Sequence, residues 1–182
     1  MNKKVIITAG VVFIALCLFF YMYLGGTAEV TISKRDINNY QFVGKDYSGR
    51  YRSEELENIY FDLKEKKESG AFDGELVVIN YPMEGDSTEN GFVHQFLGIQ
   101  LNAAMEHIPS TYQRLFIESR QTLEAKIPAH NLVMPSPEDI ENDIRSMARA
   151  ENLALVNYTI EIYVSDRELL VQIPILSNGK EK

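Results

Sequence analysis

The sequence has few of the residues that build metal and disulfide sites. One cysteine in 182 residues excludes a disulfide within the chain and a cysteine-based zinc cluster. The three histidines, His94, His107 and His130, lack the spacing that places two metal ligands on one helix face. A glycine-rich phosphate loop, a nucleophile elbow and an HExxH motif are also absent. We therefore expect no metal, no cofactor and no catalytic residue of these common types.

The sequence also has fewer basic than acidic residues. The chain has 18 basic and 26 acidic residues and a net charge of −8. Nucleic-acid binding needs a cationic face that displaces counterions from phosphates, so no nucleic-acid partner is expected. A content of 45% hydrophobic and 24% charged residues is typical of a folded chain. The length suits one ordinary domain.

A charge-free run occupies the N-terminal part of the chain. Val5 to Leu24 contains 20 residues without a charged side chain. At about 1.5 Å per residue, a helix of this length matches a bilayer hydrocarbon core of about 30 Å. Tyr21 and Tyr23 lie at its downstream end, where aromatic rings favour the headgroup level. We predict an uncleaved membrane anchor and short linker over residues 1–28 that contacts the lipid bilayer, followed by a domain over 29–182.

Two other interpretations of this run stay open. A buried core helix normally carries a polar face, which the run lacks. A cleavable signal peptide has a shorter apolar core, although the small residues Gly26-Thr27-Ala28 resemble a cleavage site. Lys3 and Lys4 precede the run, and cationic residues favour the cytoplasmic side. We predict a single-pass protein with a cytoplasmic N-terminus and the domain on the extracytoplasmic side.

The rest of the chain shows the same order of elements twice. After a short strand near residues 30–33, the first copy consists of a strand at Tyr40–Tyr47, a helix that begins after Ser53, and strands at Glu75–Tyr81 and Phe92–Leu101, with a polar turn at 85–91. The second copy consists of a strand at Tyr112–Glu118, a long connection over 120–135, a helix that begins after Ser136, and strands at Tyr158–Val164 and Glu168–Ile175.

This repetition predicts the fold class. A single helix covers only one face of a sheet, so one copy alone leaves apolar surface exposed. We expect an α+β fold in which duplicated β-α-β-β units form a two-lobed antiparallel sheet structure. A central cleft between the copies is a common place for a ligand.

One acidic residue interrupts the apolar strand NYTIEIYV. The two-residue period places on one face, predicted to meet the helices, Tyr158, Ile160, Ile162 and Val164. The other face carries Thr159, Glu161 and Tyr163. If that face lines the cleft, Glu161 is a carboxylate among aromatic rings, which suits a cation with apolar bulk. The alternative is that Glu161 is solvent-exposed on a wet face of the sheet.

Three segments resemble the GyrI-like small-molecule-binding family, also called AraC effector-binding domains. Residues 47–51 (YSGRY) are similar to the family's Gly-Pro-Tyr turn, with Arg50 in place of proline. Gly74–Pro82 is similar to its first-half strand that ends at a proline. Ile160–Tyr163 and Leu170–Ile175 are similar to its closing hairpin. The resemblance spans about residues 30–176.

The resemblance implies a duplicated strand–helix–strand–strand fold with a ligand cleft in which Glu161 faces cationic, aromatic ligands. The predicted ligand-binding residues are Glu161, Tyr163, Thr159, Phe42, Tyr112, Phe116 and Tyr81. We expect a membrane-tethered protein that binds a small amphipathic or cationic molecule, and not an enzyme. The alternatives are a hydrolase that uses Glu161 as a general base on a small electrophilic substrate, and a protein-interaction module with an unspecified partner.

Overall fold

The computed structural model describes residues 3–83, 91–130 and 132–176. In chain order the elements are α1 (Lys3–Tyr23), β1 (Thr31–Asp36), β2 (Tyr40–Arg50), α2 (Glu54–Glu68), β3 (Gly74–Tyr81), β4 (Phe92–Leu101), β5 (Gln113–Ile117), β6 (Gln121–Ile127), α3 (Pro137–Ala150), β7 (Thr159–Ser165) and β8 (Glu168–Pro174). The predicted polar turn at 85–91 lies, except for Gly91, outside the described residues.

The helices α2 and α3 begin where capping residues predict. The Ser53 hydroxyl accepts a hydrogen bond from the Leu56 amide at 3.1 Å. The Ser136 hydroxyl accepts one from the Asp139 amide at 3.2 Å, and Pro137 occupies the first helical position. Each cap satisfies an amide that has no partner within its helix. Pro137 adds a preset backbone angle and lacks the amide that would be left over.

The eight strands form one antiparallel sheet in the order β1-β6-β8-β7-β3-β4-β2-β5. The two halves of the domain have the same order of elements, β2-α2-β3-β4 in the first and β6-α3-β7-β8 in the second. The remaining strands are exchanged: β1 pairs with β6 of the second unit, and β5 pairs with β2 of the first. The predicted α+β fold with duplicated β-α-β-β units is confirmed, and the central pairing of β3 with β7 joins the units.

The predicted long connection over 120–135 is wrong in its first half, which forms β6. In β6, Leu123, Ala125 and Ile127 are buried against α3, while Thr122 and Glu124 lie on the other face and are also buried. The alternation was therefore present in the sequence. It was weak because Glu124, Ala125 and Lys126 have low β propensity.

Both α2 and α3 cover the same face of the sheet. The cluster beneath α2 includes Val43, Leu97 and Ile99, and the cluster beneath α3 includes Leu123, Val171 and Ile173. Val78 is opposite Glu161, and Glu161 is opposite Val171. These three side chains therefore form a row that runs across the sheet under the two helices.

The prediction that Ile160 and Ile162 meet the helices is wrong. They belong to a third apolar cluster on the helix-free face, with Phe42, Val77, Ile79 and Phe96. Only residues 37–39 separate β1 from β2, and only residues 118–120 separate β5 from β6. Hydrogen bonds join these two links, from the Ile37 amide to the Arg120 carbonyl at 2.9 Å and from the Asn39 amide to the Ser119 carbonyl at 3.1 Å. The sheet therefore curls so that its two ends lie close together. Across this interior the Tyr40 hydroxyl donates to Gln172 Oε1 at 2.7 Å. A curled sheet buries apolar groups without a helix, which a two-residue period alone does not reveal.

The helix α1 matches the predicted apolar run. Ile6–Tyr23 is long and apolar enough to cross a bilayer, and none of it is buried in the protein. Length and composition alone do not separate an anchor from a signal sequence. The Leu24 carbonyl accepts a hydrogen bond from the His130 amide at 2.9 Å, and the Arg167 guanidinium lies 5.0 Å from the Tyr23 ring centroid. The end of α1 therefore contacts the loop after β6 and the turn between β7 and β8.

Candidate functional site

A groove of about 900 Å³ lies between α2 and α3. Its floor consists of the helix-facing side chains of four neighbouring strands, Val78, Asn80, Val93, Gln95, Leu97, Thr159, Glu161, Tyr163 and Val171. Its walls consist of the segment before α2, the first half of α2 and the start of α3, through Tyr51, Arg52, Leu56, Glu57, Tyr60, Phe61, Pro137, Glu138 and Glu141. The groove is thus the seam between the two repeated units.

Glu161 lies in this floor and is only 8% exposed. Asn80 Nδ2 donates to Glu161 Oε1 at 2.8 Å, and the Tyr163 hydroxyl donates to Glu161 Oε2 at 2.7 Å. Across the described residues, no lysine, arginine or histidine forms an ion pair with this carboxylate. Glu161 is therefore a buried acid with neutral hydrogen-bond donors and without a protein counterion.

The titration of this pair follows from its surroundings. Burial raises the pKa of the Glu161 carboxyl above its ordinary value, and the hydrogen bonds from Tyr163 and Asn80 act in the opposite direction. Burial and the nearby carboxylate raise the pKa of the Tyr163 hydroxyl, which keeps it a hydrogen-bond donor. A bound cation would favour the ionised form of Glu161, because it supplies the missing positive charge.

The walls of the groove add aromatic and acidic groups. Tyr51, Tyr60 and Phe61 line the groove and stay substantially exposed. The charged wall residues are one arginine and three glutamates, Arg52, Glu57, Glu138 and Glu141. Glu141 is already paired with Arg145 at 2.7 Å, which lies outside the lining. The rings offer faces to a cation, and the net negative lining attracts one.

The structure brings three of the predicted site residues together. Thr159, Glu161 and Tyr163 share the groove floor, as their alternation along β7 predicts. Sequence reasoning missed Asn80 and Gln95, because a polar side chain on a strand reads as solvent-facing when the opposite wall is unknown. It also did not single out Tyr60, whose ring is 40% exposed at the groove wall.

Four predicted site residues lie outside the groove, namely Phe42, Tyr81, Tyr112 and Phe116. Phe42 is fully buried on the helix-free face of the sheet. Tyr81 follows Asn80 on β3 and therefore points to the opposite face, where its ring lies 4.7 Å from that of His94. Because side chains alternate between the two faces of a strand, Phe42 and Tyr81 point away from the groove.

Tyr112 and Phe116 are displaced by the position of β5. Tyr112 lies behind α2, where its hydroxyl donates to Asp62 at 2.9 Å and its ring packs edge-on against Phe72. Burial and the Asp62 carboxylate raise the pKa of Tyr112 to about 12. Phe116 is exposed on β5, which is the last strand of the sheet. Within the described residues, no group of three or more His, Cys, Asp or Glu side chains is placed to hold a metal ion.

Solved structures that share this fold include two hydrolase structures from Listeria innocua and EcmrR. A hydrolase from Listeria innocua aligns over 86% of this chain and 98% of its own, with a TM-score of 0.55 and 9% identity. A second hydrolase from Listeria innocua aligns over 80% and 92%, with a TM-score of 0.53 and 12% identity. EcmrR, solved as a complex with DNA, aligns over 94% and 69%, with a TM-score of 0.55 and 11% identity. Similarity at these identities establishes the fold alone.

No family profile and no curated protein matches the chain by sequence.

Proposed function

We propose that the groove between α2 and α3 binds a small amphipathic cation whose charge is neutralised by Glu161. The observation that carries the proposal is a nearly buried carboxylate with two neutral donors and, among residues 3–83, 91–130 and 132–176, no counterion. A charge in such a place is costly unless it is paired, so a cationic ligand gains the attraction that the protein leaves unused. The assignment also agrees with the motifs that resemble the GyrI-like family.

The shape of the groove supports a small organic ligand. Its volume of about 900 Å³ lies within the range of small-molecule pockets, roughly 300–1,000 Å³. Aliphatic side chains such as Val78, Leu97 and Val171 surround the few polar groups of the floor. Such a lining binds apolar bulk through burial and uses the polar groups for selection.

Charge selectivity tests this proposal. We expect the full chain in neutral detergent to bind biphenyl-4-yltrimethylammonium at least about tenfold more tightly than its uncharged isostere 4-tert-butylbiphenyl. The two probes differ only in the charged centre, and isothermal titration calorimetry measures both affinities. The preference should decline as the pH falls through the pKa of Glu161, because protonation removes the anion. Equal affinities at neutral pH would contradict the proposal.

A second candidate function is hydrolysis of a small electrophilic substrate. Burial raises the pKa of Glu161, which brings a carboxylate closer to the range of a general base, and the Tyr163 hydroxyl lies beside it. Two structures that share the fold are hydrolases of Listeria innocua. Turnover of a panel of small esters and epoxides that is lost in Glu161→Gln, with binding retained, would favour this candidate over the first.

We also propose that α1 anchors the chain in a bilayer with the body on the extracytoplasmic side. The exposed and uncharged part of α1 from Ile6 to Tyr23 and the aromatic rings at its end support this arrangement. We expect the full chain to stay with the membrane fraction after carbonate extraction and its body to be accessible to protease from outside the cell.

Leu16 provides the matched test of the anchor, because it lies in the middle of the apolar run. Leu16→Lys is expected to shift protein to the soluble fraction, since a lysine at the centre of a spanning helix costs about 2.5–3.5 kcal/mol. Leu16→Ala is the control and should remain membrane-bound. A mature protein that begins near Ala28 would identify α1 as a signal peptide and would overturn the anchor.

A further inference from the structure

A line of polar side chains crosses the groove floor over three neighbouring strands. Gln95 on β4 is opposite Asn80 on β3, and Asn80 is opposite Thr159 on β7. Gln95 Nε2 donates to Asn80 Oδ1 at 2.6 Å, and Asn80 Nδ2 donates to Glu161 Oε1 at 2.8 Å. Gln95 is 8% exposed, and Asn80 is partly buried. The carboxylate is thereby linked to a residue two strands away.

The side-chain amide of Asn80 has a hydrogen-bond donor, Nδ2, and an acceptor, Oδ1, and only one of its two orientations donates to Glu161. With Nδ2 towards the carboxylate, Asn80 donates to an anion; with Oδ1 towards it, an acceptor would face an acceptor. Thr159 Oγ1 lies 3.4 Å from Asn80 Nδ2, and a hydroxyl both donates and accepts. Thr159 therefore tolerates either orientation. Gln95, with Nε2 donating to Oδ1, matches the orientation that serves the carboxylate.

We propose that Gln95 is a positioning residue that sets the cation affinity of the groove by holding the Asn80 amide in the orientation that donates to Glu161. This inference rests on the proposed function, because it concerns the charge state of the same carboxylate. Gln95 acts on Glu161 indirectly, because its amide contacts Asn80 and Asn80 in turn contacts Glu161. A hydrogen bond to the charged form of an acid favours ionisation, so its loss raises the pKa.

Seven other titratable or charged side chains line the groove around Glu161. They are Tyr163 on β7, Glu57 and Tyr60 on α2, Glu138 and Glu141 on α3, and Tyr51 and Arg52 before α2. The wall glutamates Glu57, Glu138 and Glu141 are more exposed than Glu161.

Gln95→Met tests the inference, because methionine keeps the length of the side chain and removes the donor. In calorimetric titrations with biphenyl-4-yltrimethylammonium from pH 4 to pH 8, we expect the midpoint of the pH dependence to rise by about one unit. The affinity at neutral pH should fall about 3- to 10-fold. Affinity for 4-tert-butylbiphenyl should stay unchanged, since no charge is involved.

Gln172→Met is the matched control. Gln172 is also a buried glutamine in a polar network, but it lies on the helix-free face, where it donates to Glu124 and accepts from Tyr40. We expect its replacement to lower stability and to leave the pH midpoint of cation binding at the wild-type value. An equal midpoint shift in both variants would overturn the inference, because it would mean that general loosening is the cause.

A variant at Asn80 separates an indirect effect from a direct one. In an Asn80→Ala background, Gln95→Met should produce no further midpoint shift if it acts through the asparagine. A full additional shift would overturn the inference, as would a wild-type midpoint in Gln95→Met with affinity lost equally for both probes. If the unmodified chain showed no cation preference, the proposed function itself would fail, which is a different outcome.

Discussion

Replacing Glu161 by glutamine should lower the affinity of the groove for biphenyl-4-yltrimethylammonium by about 10- to 100-fold. The change keeps the shape of the side chain and removes its charge. At an effective dielectric constant of about 20, opposite charges 5 Å apart attract by roughly 3 kcal/mol, and desolvation offsets part of this. The uncharged isostere should bind within about threefold of its original affinity, because it gains nothing from the carboxylate. Calorimetry on the full chain in neutral detergent measures both constants.

Glu124→Gln is the control for this substitution. Glu124 is the other buried glutamate of the sheet, and it lies on the helix-free face, paired with Arg35 at 3.0 Å. Its replacement should leave both affinities unchanged even if stability falls. Equal losses for the charged and uncharged probes in Glu161→Gln would remove the electrostatic basis of the proposed function. Unchanged affinities with loss of ester or epoxide turnover would instead support general-base catalysis.

Phe42→Ala should destabilise the fold by about 3–5 kcal/mol and should not alter ligand selectivity in the molecules that remain folded. Phe42 is fully buried, and its ring stacks on Tyr40 with centroids 5.5 Å apart and contacts Phe96. Truncation removes the ring and leaves a cavity in the interior of the curled sheet. Urea denaturation of the full chain followed by circular dichroism measures the loss.

Phe116→Ala provides the comparison on a neighbouring strand. Phe116 is 54% exposed on β5 and is opposite Gln41, the residue before Phe42. Its loss should change the free energy of unfolding by no more than about 0.5 kcal/mol. A Phe42→Ala protein of wild-type stability with weakened probe binding would place that ring in the binding site, contrary to the structure.

The repeated β-α-β-β order was predictable because it depends on local signals. Ser53 and Ser136 cap their helices, and the apolar periods change from helix-like to strand-like at the expected places. The identity of the face that each strand presents was not predictable. Ile160 and Ile162 are buried by the curl of the sheet, and that curl depends on contacts such as Tyr40 to Gln172, which are 132 residues apart.

The candidate site was predictable along one strand and not across strands. Alternation grouped Thr159, Glu161 and Tyr163, since neighbouring positions of β7 determine their common face. The partners Asn80 and Gln95 come from distant segments, and only the register of β3 with β7 and β4 brings them to the carboxylate. Phe116 was included among the predicted ligand-binding residues, but it lies on the last strand of the sheet, outside the groove. Aromatic character alone does not indicate where a strand lies in the sheet order.

The exchange of β1 and β5 between the two units constrains how the groove adapts to a ligand. Each unit is completed by a strand from the other, and β3 and β7 form a continuous ladder beneath the groove. The two units therefore cannot separate as rigid bodies without breaking the backbone hydrogen bonds between β3 and β7. Under the proposed function, we expect rotamer changes of the exposed wall residues Tyr51, Tyr60 and Phe61 to accommodate ligands of different size, so that selectivity for shape is broad while selectivity for charge is strict.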